Sequence, residues 1–162
     1  MRHTISVLVD NQAGVLSRVV GLFSGRGFNI ESLSVAPTLD STKSKMVITT
    51  TGNEQVLEQI KKQLNKLINV IKVIDCADRD YVEREMIVVK VKAEKETRAE
   101  VLRMADIFRA KVIDVSPASY TLSLTGDKRK LEGFVELLAP IGIIDFIRTG
   151  TVVMEREMQG RR

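Results

Sequence analysis

Apolar positions along this chain switch between a period of two and a period near 3.6, and the order of the switches predicts the elements. In residues 3–10, β-branched side chains alternate with polar ones and place Ile5, Val7 and Val9 on one face of a strand. From about residue 13 to 24, Val15, Leu16, Val19, Val20 and Phe23 recur at helical spacing, and Gly25-Arg26-Gly27 supplies the stop. Residues 29–37 read as a second strand, with Ile30, Ser32 and Ser34 on one face and Glu31, Leu33 and Val35 on the other. Those mixed faces and Pro37 suit a sheet edge. Residues 38–43 form a polar loop and residues 46–51 a third strand. Asn53 then caps a helix whose stripe is Val56, Leu57, Ile60, Leu64 and Leu67, with Glu58 four residues before Lys62. Residues 70–75 make a fourth strand.

The pattern then repeats. A polar, charged stretch over residues 78–85 reads as a linker. Residues 86–93 form a strand, and Thr97 with Glu100 offers a capping box for a helix lined by Val101, Leu102, Ala105 and Phe108. Strands follow at 111–115 and 120–125, joined by Ser116-Pro117-Ala118-Ser119. Asp127 caps a helix lined by Leu131, Phe134, Val135 and Leu138, and residues 143–148 are the last strand, with an extension to Met154. The expected fold class is therefore α+β, with two ferredoxin-like βαββαβ domains in tandem. The expected boundaries are 1–77 and 86–155, with the linker between and a charged tail over 156–162. Domains of about 75 residues bury only ~60% of their unfolded surface, and four-stranded sheets leave open edges. Both points favour a symmetric dimer with sheets side by side.

Composition narrows the function classes. The chain has 162 residues, 44% hydrophobic and 28% charged, as in ordinary soluble proteins. No apolar run approaches the roughly 20 residues that span a bilayer, and the start runs directly into a strand without a signal-peptide pattern. A cytoplasmic protein without membrane contact is the expectation. The net charge is +4, but Lys/Arg and Asp/Glu are interspersed in both halves, and aromatics are only 4%. That balance argues against a nucleic-acid face. His3 and Cys76 are the sole residues of their kinds, so neither a His/Cys zinc site nor a Ser-His-Asp triad around a mid-chain histidine can be built. His3 reads as a surface residue and Cys76 as an inert, buried or half-buried thiol. The acidic run Asp78, Asp80, Glu83 and Glu85 is interleaved with Arg79 and Arg84 and reads as a solvated segment.

The chemistry concentrates in one turn. Asp10-Asn11-Gln12-Ala13-Gly14-Val15-Leu16 leaves the first strand and opens the first helix. Such a turn presents unpaired N–H groups at the positive end of a helix dipole and can hold a carboxylate. Asp, Asn and Gly are equally ordinary turn and cap residues. The stretch Phe28-Asn29-Ile30-Glu31-Ser32-Leu33 leaves that helix for the next strand.

Asp10-Asn11-x-x-Gly14-Val15-Leu16-Ser17-Arg18-Val19, followed by Gly21-Leu22-Phe23-Ser24-x-Arg26-Gly27-Phe28-Asn29-Ile30-x-Ser32-Leu33, resembles the N-terminal ACT domain of the small regulatory subunits of acetolactate synthase (acetohydroxyacid synthase). The ending Gly142-Ile143-Ile144-Asp145-Phe146-Ile147-Arg148-Thr149-Gly150 is similar to that family's C-terminal domain, with Asp145 where Glu is expected. The resemblance implies a noncatalytic subunit with no cofactor of its own. It would activate a large catalytic subunit that carries thiamine diphosphate, Mg and FAD and converts two pyruvates to 2-acetolactate and CO2. It would also confer feedback inhibition by L-valine in branched-chain amino acid biosynthesis. The effector site would lie between the ACT domains of a homodimer, with Asn11, Gly14, Val15 and Leu16 from one chain and Asn29 and Ile30 from the other. A second reading, an amino-acid-responsive transcriptional regulator, lacks a helix-turn-helix pattern and a basic helix.

Overall fold

The computed structural model describes residues 1–157. The described chain divides into two compact units, residues 1–82 with residues 150–157, and residues 83–149. Each is built on four antiparallel strands in βαββαβ order with two helices on one face, and a fifth strand joins the second sheet.

In the N-terminal unit the elements are β1 (Arg2–Asp10), α1 (Val15–Ser24), β2 (Ile30–Pro37), β3 (Lys43–Thr51), α2 (Glu54–Asn65) and β4 (Val70–Asp75), in sheet order β2-β3-β1-β4. Ile5, Val7 and Val9 of β1 and Met46 and Ile48 of β3 point under the helices and meet Val15, Val19 and Phe23 of α1 and Leu57, Ile60 and Leu64 of α2. As expected, Asn53 caps α2, its side chain accepting from the Val56 amide at 3.0 Å. Glu58 pairs with Lys61 rather than Lys62, because Lys61 also reaches Asp75 on β4 at 3.1 Å and is thereby held over that side of the helix.

β2 departs from simple alternation. Its register against β3 shifts between Ile30 and Ser32, which makes Glu31 an extra residue in the strand. Ile30 therefore joins Leu33 on the core face instead of lying opposite to it. On the helix-free face, Ser32 and Thr49 stand opposite each other, and both hydroxyls are buried without a partner among the described residues.

In the C-terminal unit the elements are β5 (Tyr81–Lys92), α3 (Arg98–Phe108), β6 (Lys111–Val115), β7 (Ser119–Gly126), α4 (Lys128–Leu138) and β8 (Ile143–Arg148), in sheet order β6-β7-β5-β8. Ile87, Val89 and Val91 pack with Val101, Ala105, Leu122, Leu124, Leu131, Phe134 and Leu138. The rings of Phe108 and Phe134 meet at 5.1 Å. Asp127 caps α4 through the Lys130 amide at 2.8 Å. The Thr97–Glu100 capping box does not form. Thr97 takes helical dihedrals, and its hydroxyl donates back to the Glu94 carbonyl instead of capping.

Three expectations about connections are corrected. The stretch read as a linker is strand from Tyr81 onward, and Glu85 within it is buried. The extension after β8 is a separate strand, β9 (Val152–Glu155), which pairs with β5. Residues 150–157 group with the N-terminal unit: Gly150 lies against the Leu33–Ser34 backbone so closely that a Cβ would sit 2.6 Å from Leu33. Glu155, at the end of the expected second domain, and Arg156, the first residue of the expected tail, pair with Arg79 and Asp80 at 2.5 and 3.4 Å. The remainder of that tail lies outside the described residues.

Candidate functional site

The turn from β1 to α1 has the conformation that its sequence suggests. Gly14 is the N-cap of α1 with φ 84°, a left-handed value that only glycine adopts without strain. A side chain would meet nothing within 4 Å there, so the Gly14 surface is open. α1 has no side-chain cap and no acidic residue in its first turn. Among the described residues, no acceptor serves the amides of Ala13, Gly14, Leu16 or Ser17, and the Val15 amide reaches the Gln12 carbonyl only at 3.4 Å. The result is an exposed set of donors at the positive end of a ten-residue helix.

Asn11 is tied to the neighbouring loop. Its amide donates to the Thr42 carbonyl at 2.8 Å, and its Nδ2 donates to the Ser41 carbonyl at 3.0 Å. This leaves Oδ1 as the free end of the side chain. The 38–43 loop is itself braced by Asp40, whose carboxylate accepts from the Thr42 amide and hydroxyl at 3.0 and 2.6 Å. Those two bonds hold the Asp40 carboxyl below its ordinary range. On the other side of the turn, Asn69 donates to Asp10 and Gln12 and accepts from Arg18 at 2.8 Å. Arg18 is thus bound to the turn rather than free in solvent. Ser41, Thr42 and Asn69 were not legible as site residues, because they are distant in sequence and belong to no motif.

The six expected site residues separate into groups. Asn11, Gly14 and Leu16 are exposed at one end of the sheet, Leu16 by 39%. Val15 is 3% exposed and its side chain belongs to the core. Asn29 and Ile30 stand at the opposite end: Ile30 pairs with Thr50, which pairs with His3, whereas Asp10 pairs with Lys43. Seven rows of strand separate His3 from Asp10, about 23 Å at ~3.3 Å per residue. Within one chain the two halves do not meet.

The second half is rigidly mounted. The Thr50 hydroxyl, fully buried, donates to the Asn29 carbonyl at 2.6 Å. The Phe28 ring covers Gly52, where a Cβ would stand 2.2 Å from the ring. The Asn29 side chain is left exposed, and Ile30 is half-buried against the core. His3, expected at the surface, is only 6% exposed and lies 3.2 Å from the Gly52 carbonyl. It is a structural partner of the same corner. Cys76 is buried, and burial pushes its thiol up to about 11, which removes it from nucleophilic chemistry near neutral pH.

Among the described residues, no group of three His, Cys, Asp or Glu side chains is arranged to hold a metal. The acidic run is broken up by ion pairs of Asp80 with Arg156 and Glu85 with Arg148. No helix of the described residues is long and apolar enough to cross a membrane.

Two family models match the two halves of the chain. The acetohydroxyacid synthase small subunit-like ACT domain covers residues 5–72, and the small subunit of acetolactate synthase covers residues 84–157. The acetolactate synthase small subunit of Haemophilus influenzae is 47% identical over 96% of both chains. The isozyme 3 small subunit of Escherichia coli is 48% identical, also over 96% of both. The crystal structure of the acetolactate synthase small subunit from Thermotoga maritima superposes with a TM-score of 0.86 at 38% identity, over 96% of this chain and 98% of that one. By identity, coverage and fold, the chain belongs to the acetolactate synthase small subunits.

Proposed function

We propose that this chain activates the large catalytic subunit of acetolactate synthase and makes it sensitive to L-valine bound between two copies of the N-terminal ACT unit. The observation that carries this reading is the start of α1. Among the four helices of the described residues it alone has a left-handed glycine cap, no side-chain cap and no acid in its first turn. A carboxylate there meets unpaired N–H groups and gains about 0.3–2 kcal/mol from the dipole. The ammonium finds Asn11 Oδ1 from the same chain and the exposed Asn29 side chain from a second. Leu16 and Ile30 cover the isopropyl group, whose burial contributes about 1.5–3 kcal/mol.

The second copy is needed because one chain keeps the two halves at opposite sheet ends. β2 supplies a route. It is an edge strand of eight residues whose one charged side chain is Glu31. Antiparallel pairing of two β2 edges would set Ile30 of one copy beside the Pro37 end of the other. That end lies level with Val9 and Asp10, where the turn begins.

The catalytic chemistry, with thiamine diphosphate, Mg and FAD, belongs in this reading to the large subunit in the cytoplasm, and the small subunit biases a two-state equilibrium of the complex. Couplings of this kind are typically about 1–3 kcal/mol. Reconstitution with the large subunit tests the reading. Added chain is expected to raise acetolactate formation, and L-valine to reverse the gain. Unchanged turnover in a formed complex would overturn activation, and a gain insensitive to valine would overturn the effector assignment.

A further inference from the structure

We propose that the groove between α4 and β8 in the C-terminal unit is a second binding site, for a small aliphatic α-amino acid. This goes beyond the turn at Gly14 and does not depend on it. The groove has a volume of about 340 Å3, within the roughly 300–1,000 Å3 of small-ligand sites. Its floor is apolar: Ile87 and Leu131 are each 1% exposed, Val135 is half-buried, and the ring of Phe146 stands 42% exposed at the wall. β8 is an edge strand, so the groove opens sideways. Pairing of Phe146 with Val89 and of Arg148 with Ile87 puts both β8 side chains on the helix-bearing face.

The polar groups around this floor form a matched set. Arg148 Nε donates at 2.5 Å to the carboxylate of Glu85, which is 4% exposed. That bond fixes the plane of the guanidinium, and among the described residues no acceptor serves its two terminal nitrogens. A guanidinium held in this way presents a two-pronged donor to a carboxylate. On the facing rim, Glu132 and Glu136 lie one turn apart on α4. Glu132 is 3.6 Å from Lys128, and Glu136 has no ion pair among the described residues. The guanidinium suits a carboxylate, Glu136 an ammonium, and the floor an aliphatic side chain. The Arg148 charge is already balanced by Glu85 and that of Glu132 by Lys128, so the Glu136 carboxylate disfavours a plain 2-oxo acid and favours a zwitterion.

The fold provides a groove at this place in both units, about 370 Å3 in the N-terminal one, but does not dictate its lining. The counterpart between α2 and β4 is lined by Lys61, Lys62 and Lys72, and Lys61 is occupied by Glu58 and Asp75.

The test is a titration of the full chain, methyl-labelled at Leu and Val, followed by NMR. L-valine and L-leucine are expected to shift Leu131 and Val135 saturably, whereas glycine and 2-oxoisovalerate leave them in place. Glu136→Lys is expected to weaken that response at least ten-fold without changing the response of Val15 and Leu16, and Gly14→Ala to do the converse. Phe146→Ala, with an unchanged circular-dichroism spectrum, is expected to weaken the groove response similarly. Stationary Leu131 and Val135 signals in the wild-type chain would overturn the proposal, as would equal shifts with 2-oxoisovalerate. Neither result would bear on the turn at Gly14, which reports through its own residues.

Discussion

In the N-terminal unit, the turn from the first strand into the first helix is left open. Gly14 caps α1 without a side chain, no acid follows in the first turn, and neighbouring amides lack acceptors among the described residues. In the C-terminal unit, the same position of the same topology is closed. The Glu94 carbonyl takes the Thr97 and Arg98 amides at 2.9 and 3.0 Å. Arg98 folds over the turn to the Ala93 and Pro117 carbonyls, and Glu100 supplies negative charge to the first turn of α3. The grooves differ in the opposite sense, ion-paired beside α2 and apolar beside α4. A repeated fold has thus placed free binding groups at different ends of its two units. The lesson is that a βαββαβ domain needs neither an open turn nor an apolar groove to fold, so where one stands open its residues were not set by folding alone.

The largest expected effect breaks the comparison of grooves. Arg148→Met takes the guanidinium from the buried Glu85 carboxylate, and losing one partner of a buried pair costs about 3–5 kcal/mol. Lys61→Met should cost clearly less, because its Asp75 partner is less buried than Glu85 and keeps the Ala77 amide as a donor. Urea unfolding of both variants reads the difference, and equal losses would remove the distinction between the two grooves. Next in size is the turn. Gly14→Ala forces alanine to a φ near 84°, a strain of about 1 kcal/mol, and should weaken valine inhibition about ten-fold or more while activation persists. The matching change in the closed turn, Glu100→Gln, should alter stability by only about 0.3–1 kcal/mol and leave inhibition unchanged.

Alkaline pH gives a third contrast, confined to the N-terminal unit. Burial raises the folded pKa of Cys76 to about 11 from 9.0, and the hydrogen bond to Glu58, with Asp75, holds Lys61 above the ordinary lysine value. Between pH 9 and 11 the unfolded chain therefore binds fewer protons at Cys76 than the folded chain does, and stability falls as pH rises. Lys61 adds to the loss with the same sign, from its ordinary value upward. Melting curves across that range should show the decline, and Cys76→Ala should flatten it between pH 9 and 11. The smallest effect belongs to Thr49. Its buried hydroxyl has no partner among the described residues, so Thr49→Val should be neutral or stabilising by up to about 1 kcal/mol in the same unfolding assay.

The element order, both asparagine and aspartate caps and the edge position of β2 were legible, because each rests on local pattern: strand alternation, helical stripes, and polar residues just before them. The expectations that failed depended on distant partners. The 78–85 stretch is polar enough for a linker, yet Glu85 is buried because Arg148 meets it across the sheet. His3 is buried by the corner at Gly52, 49 residues away. The Glu31 bulge reverses the face of Ile30 and has no sequence mark, since bulges are set by pairing. At the candidate site, Gly14 and its turn could be read directly. The bracing by Ser41, Thr42 and Asn69 could not, and neither could the roughly 23 Å between the two halves, which follows from strand register.

That separation makes the two-chain site the central claim, and mixing two defective chains tests it most directly. Gly14→Ala and Asn29→Ala chains would be co-refolded and combined with the large subunit, and valine inhibition of acetolactate formation measured. Each variant alone is expected to resist valine. Mixed dimers contain one site with both defects and one with neither, so the mixture should regain part of the inhibition. A mixture as resistant as its components, with mixed dimers demonstrated, would contradict a site shared between chains.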